Sequence, residues 1–136
     1  INSTIILAVH GKYNVPYFDC ILESVKKFIP DYLPKYPEMD RFGTKETFVD
    51  AIKKAGFSKI IVKKFVFKYS PGTFSDYWNN YKRHLPKPLK DKFNSLSKFQ
   101  KSNLREMVKY KTLQYTKKNG KIVFPWEVLV LSAKNQ

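Results

Sequence analysis

The sequence predicts a mixed α/β fold with a three-stranded sheet, and three observations carry that prediction. The segment Thr4–Val9 is apolar without alternation, which is typical of a strand buried on both faces. Apolar residues then recur at helical spacing after Pro16. The chain closes on a long apolar stretch, Ile122–Ala133, which predicts a final strand. Because 136 residues suit one apolar core, we predict a single domain over residues 1–136.

The first strand leads into an amphipathic helix. His10 and Gly11 close the strand, and Pro16 stands where the first turn of a helix tolerates proline. Pro30 ends the helix, and the segment Asp31–Phe42 has no periodicity and is expected to be a loop. The apolar face of this helix comprises Phe18, Ile21, Leu22, Val25, Phe28 and Ile29.

A second helix and a lysine-bearing strand follow. Thr44 is expected to cap the helix at its start, and Gly56 supplies a left-handed residue at its end. The strand Lys59–Tyr69 carries Lys63 on one face and Lys64 on the other. Lysines on both faces are typical of an edge strand, because they oppose pairing with another chain.

A helical stretch separates this strand from the last one. Ser70–Gly72 predicts a turn, and Thr73 with Asp76 predicts the start of a helix. A short helix is expected at Leu89–Phe93. Ser97–Gln100 has the spacing of a capping box and predicts the start of a longer helix.

The last strand is expected to be interrupted once. Asn119–Gly120 predicts a tight turn before it. Pro125 lacks a donor for the sheet, so we expect a bulge there and a regular strand from Glu127. Since the lysines mark the middle strand as an edge and the other two strands are apolar, we predict the strand order first, last, middle.

The large positive net charge of the chain is weak evidence for a nucleic-acid partner. The sequence has 26 basic and 11 acidic residues, a net charge of +15, and only Arg41, Arg83 and Arg105 are arginines. Nucleic-acid recognition depends heavily on the guanidinium group, and lysines scattered over amphipathic segments favour a solvated surface. An anionic partner, whether RNA, a lipid headgroup or an acidic substrate, is the alternative.

Cysteine content and hydropathy exclude further classes of protein. A single cysteine, Cys20, excludes an internal disulfide and a cysteine-based zinc site, and it favours a reducing compartment, so we expect a cytoplasmic location. The longest apolar run, Ile5–Val9, is far shorter than the roughly 20 residues that span a bilayer, so no membrane span is expected. No spacing of ligands predicts a metal site.

Several segments, taken in order, resemble the C-terminal half of class I S-adenosylmethionine-dependent methyltransferases. The resemblance is nearest to the small-molecule branch that includes the ubiquinone/menaquinone C-methyltransferases. The residues that carry it are Ile5–Gly11, Thr47–Phe48, Ala55–Phe57, Asn119–Ile122 and Phe124–Trp126.

This resemblance implies a partial Rossmann-like sheet of three strands with an antiparallel last strand. It also implies an inserted helical cap over about residues 73–116 that lies over a substrate. The chain would then be the substrate-side portion of a methyltransferase that acts on a small molecule. We expect it to be inactive alone, because the half of the family's fold that binds the cofactor is missing.

The cofactor of the resembling family is S-adenosylmethionine, and its site needs a glycine-rich turn followed by an acidic residue. The glycines here are isolated, and no G-x-G sequence occurs; they are Gly11, Gly43, Gly56, Gly72 and Gly120. We therefore transfer no cofactor-binding residue to this chain and expect no binding of the cofactor by the chain alone.

The resemblance also implies a partner for the first strand. In the family that strand is flanked by a strand of the missing half, so Ile5–Val9 would otherwise be an unpaired apolar edge. We expect this edge to pair with the missing N-terminal cofactor-binding half, with a second copy of the chain in a dimer, or with a rearranged local segment.

Five residues are candidates for substrate binding. His10 ends the first strand on its carboxyl side, where α/β sheets gather ligands, and it could orient a substrate or act as a base. Tyr13 and Tyr17 could form an aromatic wall, and Trp78 and Tyr81 share a helical face in the inserted segment. For each of them the alternative is a packing role.

A function of another class stays open on the sequence. The chain could be a non-enzymatic basic module that binds RNA or an acidic partner, with exposed tyrosines as stacking surfaces. It could also be a structural remnant that dimerises through the open edge.

Overall fold

The computed structural model describes residues 3–12, 14–32 and 42–135, and within them it has a mixed α/β fold, as the sequence predicts. Short 3₁₀ turns occupy Pro30–Tyr32 and Leu113–Tyr115. The strands and α-helices are β1 (Thr4–His10), α1 (Pro16–Phe28), α2 (Lys45–Lys54), β2 (Phe57–Thr73), α3 (Phe74–Arg83), α4 (Lys87–Ser95), α5 (Lys98–Thr112) and β3 (Lys121–Asn135).

The three strands form one antiparallel sheet in the order β1, β3, β2. The predicted order of first, last and middle strands is therefore confirmed, and so is the antiparallel direction of the last strand. The register of β1 on β3 runs from Thr4 opposite Lys134 to His10 opposite Val128.

The prediction that β1 is buried on both faces is wrong for this chain. Ile5 and Val9 are half-buried, whereas the side chain of Ile6 is 71% exposed. The physical reason is that Ile5 and Val9 face a buried cluster, whereas Ile6 points to the opposite face and belongs to neither cluster of the described residues. In addition, β3 pairs with one edge of β1, and no described strand pairs with the other. The sequence of β1 therefore has the character of an interior strand while its position is an edge.

The described residues pack as two compact units, and the first contains β1, α2, β2 as far as Lys68 and β3 from Pro125. Phe48 of α2 is buried in this unit together with Leu129, Leu131 and Ala133 of β3. The start of α2 is confirmed, since the side chain of Thr44 accepts a hydrogen bond from the backbone of Thr47.

The second unit combines α1 with the helices between β2 and β3 and with the adjoining strand ends, Tyr69–Thr73 and Lys121–Phe124. Helix α1 packs against α5, which also contacts α3. The single-domain prediction stays a prediction, since the two units describe packing and not independent folding. The buried core of this unit comprises Cys20, Ile21, Val25, Ile29, Tyr77, Trp78, Leu89, Phe93, Leu104, Val108, Ile122 and Phe124.

The predicted starts of α3 and α5 are confirmed by their capping boxes. Thr73 and Asp76 exchange hydrogen bonds at the start of α3, and Ser97 and Gln100 do the same at the start of α5. The prediction of a turn at Ser70–Gly72 is wrong. These residues continue β2, which is longer at both ends than the predicted segment.

Strand β3 contributes to both cores, and the burial pattern changes along it. Before Pro125 the buried residues are Ile122 and Phe124, whereas after it they include Leu129 and Leu131. The buried positions thus change from even to odd numbers, so one strand supplies side chains to two separate clusters. The bulge expected at Pro125 stays a prediction.

Candidate functional site

The carboxyl end of β1 borders an open depression of about 360 Å³ in the first unit. His10, the substrate-binding candidate at the end of this strand, lines the depression. Most of the remaining lining is apolar or backbone; the lining residues are Ala8, Val9, His10, Phe42, Gly43 and Val128.

Two glycines bring the chain segments around this depression into close contact. Lys12 donates its backbone N–H to the carbonyl of Gly43 at 2.8 Å, and a Cβ atom on Gly43 would lie 2.8 Å from that of Lys12. Gly11 donates to the carbonyl of Glu127 at 2.9 Å, and a Cβ atom on Gly11 would lie 2.3 Å from Oε1 of Glu127. A larger residue at position 43 would clash with the backbone of Lys12 and force the two segments apart, whereas one at position 11 would displace the side chain of Glu127.

His10 is oriented by Trp126. The indole Nε1 of Trp126 lies 2.9 Å from Nδ1 of His10, and the ring centroids are 5.3 Å apart. Because the indole nitrogen can only donate, Nδ1 of His10 accepts, and the proton of the neutral imidazole resides on Nε2. Trp126 therefore selects one tautomer of the histidine and one orientation of its ring.

Sequence reasoning missed Glu127 as a residue of this site. Its side chain is 7% exposed, and it is the one carboxylate among residues 3–12, 14–32 and 42–135 that is buried. Its backbone N–H donates to the carbonyl of Asn14 at 3.1 Å, so it holds two parts of the β1–α1 connection. A lone acidic residue inside an apolar strand was the available signal, since burying a carboxylate is costly unless it is hydrogen-bonded.

Tyr17 belongs to an aromatic cluster in the second unit. Its ring contacts Tyr77 and Phe124 edge-on at centroid distances of 5.0 and 5.8 Å. Its hydroxyl accepts a hydrogen bond from Nδ2 of Asn80 at 3.0 Å, and its carbonyl accepts one from the hydroxyl of Tyr77. These contacts make Tyr17 a half-buried part of the core of this unit.

Trp78 and Tyr81 continue the same cluster. Their rings stack at 6.0 Å, and Trp78 also stacks on Phe74 at 6.3 Å and contacts Phe93 at 6.0 Å. Trp78 is buried and Tyr81 is half-buried. The Trp78 ring therefore has a packing role, which was the alternative to substrate binding, while part of Tyr81 reaches the surface.

The five predicted residues are thus distributed unevenly. Tyr17, Trp78 and Tyr81 join one cluster of the second unit. His10 belongs to the first unit, where Trp126 contacts it and Glu127 contacts the adjacent Gly11. Tyr13 lies outside the described residues.

Burial suppresses ionisation inside the second unit. It raises the pKa of the Tyr77 hydroxyl strongly and that of Tyr17 to a smaller extent. Burial also raises the pKa of the Cys20 thiol to about 11. The thiol donates a weak hydrogen bond to the carbonyl of Lys111, 3.8 Å away, and at neutral pH it remains protonated and unreactive.

Among the described residues, no glycine-rich turn leads into a helix start that is open to a ligand, which is the arrangement that binds S-adenosylmethionine in the resembling family. The glycines with positive φ are Gly56, Gly72 and Gly120, and none precedes an open helix start. Gly72 lies before α3, but the carboxylate of Asp76 occupies that helix start, and its hydrogen bond from the Thr73 backbone lowers the pKa of Asp76. Within the ranges that the structure covers, His, Cys, Asp and Glu also form no cluster that could hold a metal ion.

No family model and no curated protein matches this chain. In the same described ranges, no helix is long and apolar enough to cross a bilayer.

Proposed function

We propose that this chain is the substrate-side portion of an S-adenosylmethionine-dependent methyltransferase that acts on a small molecule. The sheet order carries the proposal. An apolar first strand, a central antiparallel last strand and a lysine-bearing middle strand at the far edge are what the resembling family predicts for this half of its fold. Three helices between β2 and β3 agree with the inserted segment of that family.

In this proposal the depression at the end of β1 accepts the small molecule. Its apolar lining suits an aromatic or apolar acceptor, and the imidazole of His10 supplies a polar group of fixed orientation. Positioning an acceptor atom is the main task of a methyl-transferring site. His10 would orient the acceptor, while Tyr17, Trp78 and Tyr81 stabilise the second unit.

The cofactor is bound by another part of the assembly in this proposal. Because the described residues offer no glycine-rich turn at an open helix start, the proposal places a cofactor-binding half at the open edge of β1. A second copy of the chain is the other candidate occupant of that edge. An apolar edge such as Ile5–Val9 favours pairing of either kind.

Binding of small aromatic molecules tests the acceptor site directly. Phenols and quinols, titrated into the ¹⁵N-labelled chain, should shift the amide resonances of Ala8, Val9 and Val128. His10→Ala should weaken this binding about fivefold or more, because it removes one oriented polar contact. The matched control is His84→Ala, since His84 is an exposed histidine of the second unit.

Two outcomes would count against the proposed site. The first is a lack of shifts around β1 at ligand concentrations in the millimolar range. The second is an equal effect of the two histidine substitutions.

A thermal-shift titration tests the missing cofactor half. S-adenosylmethionine should leave the Tm of the isolated chain unchanged, since only a ligand that binds the native state raises it. A saturable rise of several degrees would show that the chain has a cofactor site of its own. The intact mass of the source polypeptide then separates a fragment from a complete product.

A second candidate function is supported by one feature of β2. Phe65 and Phe67 stack with centroids 6.1 Å apart, both rings are exposed, and Lys63 lies on the same face of the strand, while Lys64 and Lys68 lie on the opposite face. Exposed aromatic rings among lysines can stack on the bases of single-stranded RNA. Micromolar binding to an RNA homopolymer that survives physiological salt, and that is lost in Phe65→Ser with Phe67→Ser, would favour this function.

A further inference from the structure

Helix α5 has a second apolar face that its own unit does not use. Leu104 and Val108 are fully buried and satisfy the packing of the inner face. On the outer face, Phe99 and Tyr110 are 74% and 76% exposed. Leu113, which continues the helix with helical backbone angles, is 56% exposed.

These three side chains lie on one face of the helix and are called the stripe below; the polar Ser102, Asn103 and Glu106 lie between Phe99 and Tyr110 on the same face. At 3.6 residues per turn the three residues of the stripe lie within about 60° of one another around the helix axis. Phe99 and Tyr110 are roughly 16 Å apart along it, as the rise per residue dictates. Isolated exposed apolar residues are common, but large ones aligned on one helix face indicate an interaction surface.

The charges beside the stripe are basic. Lys98 and Lys109 are exposed on one flank, and Lys117 and Lys118 follow the end of the helix. Glu106 lies within the stripe, but its carboxylate pairs with Arg105 at 3.0 Å. The second unit as a whole has 15 basic and six acidic side chains.

We propose that the outer face of α5 docks on an anionic lipid surface. Phe99, Tyr110 and Leu113 enter the headgroup region, and Lys98 and Lys109 approach the lipid phosphates. An interfacial helix of this kind combines an apolar stripe with flanking lysines and lies along the bilayer without crossing it. This inference is independent of the proposed methyltransferase function.

A nucleic acid explains this face less well. Leu113 offers no stacking surface for a base. The guanidinium of Arg105, the arginine of this helix, is already engaged by Glu106 and lies 5.0 Å from the centroid of the Phe74 ring. A lipid surface accommodates both the aliphatic and the aromatic side chains.

Co-sedimentation with vesicles tests the proposal without changing any charge. The chain should bind phosphatidylcholine vesicles that contain about 30% phosphatidylglycerol and bind pure phosphatidylcholine far more weakly. The triple variant Phe99→Gln, Tyr110→Gln, Leu113→Gln should lose about tenfold in affinity for the anionic vesicles, because three apolar contacts with the lipid are removed.

The control removes two exposed apolar residues of β2 instead. Ile61→Thr with Val66→Thr changes residues that are 58% and 53% exposed, close to the 56% of Leu113, and also leaves the charge unaltered. This control should bind the vesicles like the unchanged protein. Equal binding by all three proteins would overturn the proposal, since it would show attraction by net charge alone.

A label gives a second readout that does not require the triple variant to fold. Because Cys20 is buried and its thiol has a raised pKa, a cysteine introduced as Tyr110→Cys can be labelled selectively with a polarity-sensitive fluorophore. Its emission should shift to the blue with anionic vesicles, whereas the same label at Val66→Cys should not respond. A blue shift at position 110 with an RNA homopolymer but not with vesicles would assign this face to nucleic acid and overturn the proposal.

Discussion

The two units bury their apolar residues to different extents. Among the described residues, the second unit encloses a core of twelve buried residues that includes Tyr77, Trp78 and Phe124. The first unit has a smaller cluster around Phe48 and exposes Ile6 and Ile61 on its strands. Both units expose large apolar side chains, the first on its strands and the second on the outer face of α5, so the contrast between them lies in the size of the buried core.

The two edges of the sheet also differ. From Thr4 to Val9, β1 has no charged residue, while β2 carries Lys59, Lys63, Lys64 and Lys68. Lysine at an edge prevents pairing with another chain, and its absence permits pairing. This contrast between the two edges is the reason for proposing β1, and not β2, as the edge that pairs with a partner.

The largest effect is expected for a truncation in the core of the second unit. Leu104→Ala should lower the free energy of unfolding by about 2–5 kcal/mol, because it leaves a cavity at a fully buried position. Ile61→Ala in the first unit should cost about 0.5 kcal/mol or less, because Ile61 is exposed. Urea unfolding measures both. Equal losses would remove the proposed contrast between the units.

A smaller effect is expected from Cys20 in alkaline solution. Burial raises the pKa of its thiol from 9.0 to about 11, so the native state keeps the thiol neutral at pH values where the unfolded chain ionises it. The free energy of unfolding should therefore fall as the pH rises from about 9 to about 11.

Cys20→Ser should reduce this alkaline loss without abolishing it, because the raised pKa of Tyr77 acts in the same direction. Urea unfolding of both proteins at a series of pH values measures this loss of stability, with neutral pH as the reference. An unchanged pH dependence would show that the thiol does not contribute.

A still smaller change in the free energy of unfolding is expected when the hydrogen bond that fixes the tautomer of His10 is removed. In Trp126→Phe the free energy of unfolding should fall by about 0.5–1.5 kcal/mol or less, because one exposed hydrogen bond is lost. The ¹⁵N shifts of the imidazole should show an unprotonated Nδ1 in the unchanged protein and a mixture of tautomers in the variant. The same mixture in both proteins would contradict the role given to Trp126.

The smallest effect on stability is expected at the two edges, where association is the informative measurement. Ile6→Lys should change the free energy of unfolding by about 0.5 kcal/mol or less, since Ile6 is exposed. It should also reduce self-association in light scattering, whereas Lys64→Val on β2 should increase it. If the unchanged chain associates and Ile6→Lys associates equally, β1 is not the contact.

Much of the secondary structure could be predicted from local chemistry. Thr44, Thr73 and Ser97 cap their helices as their spacing predicts, because a capping bond joins residues three apart and needs no tertiary contact. The prediction of a turn at Ser70–Gly72 is wrong because contacts between strands, and not local chemistry, decide the structure there. Those residues continue β2, where pairing within the sheet overrides the local preference of proline and glycine for turns.

The candidate site was predictable only in part. The position of His10 at the end of a strand follows from the sequence, because the apolar run of β1 stops there. The contacts of Trp126 with His10 and of Glu127 with Gly11 could not be predicted, since they depend on the register that places Val128 opposite His10. Trp78 also shows the limit of helical spacing, which puts it on one face with Tyr81 without telling a buried face from a binding face.

The sequence alone determined the elements, their order and the contrast between an apolar and a lysine-bearing strand, because these properties reside in neighbouring residues. Tertiary structure decided which side chains β3 gives to each core and which residues meet at the end of β1. Contacts of this kind join residues more than one hundred positions apart, as in the pair His10 and Trp126, 116 positions apart. Local propensity depends only on residues close in sequence, so such contacts are decided by the folded chain.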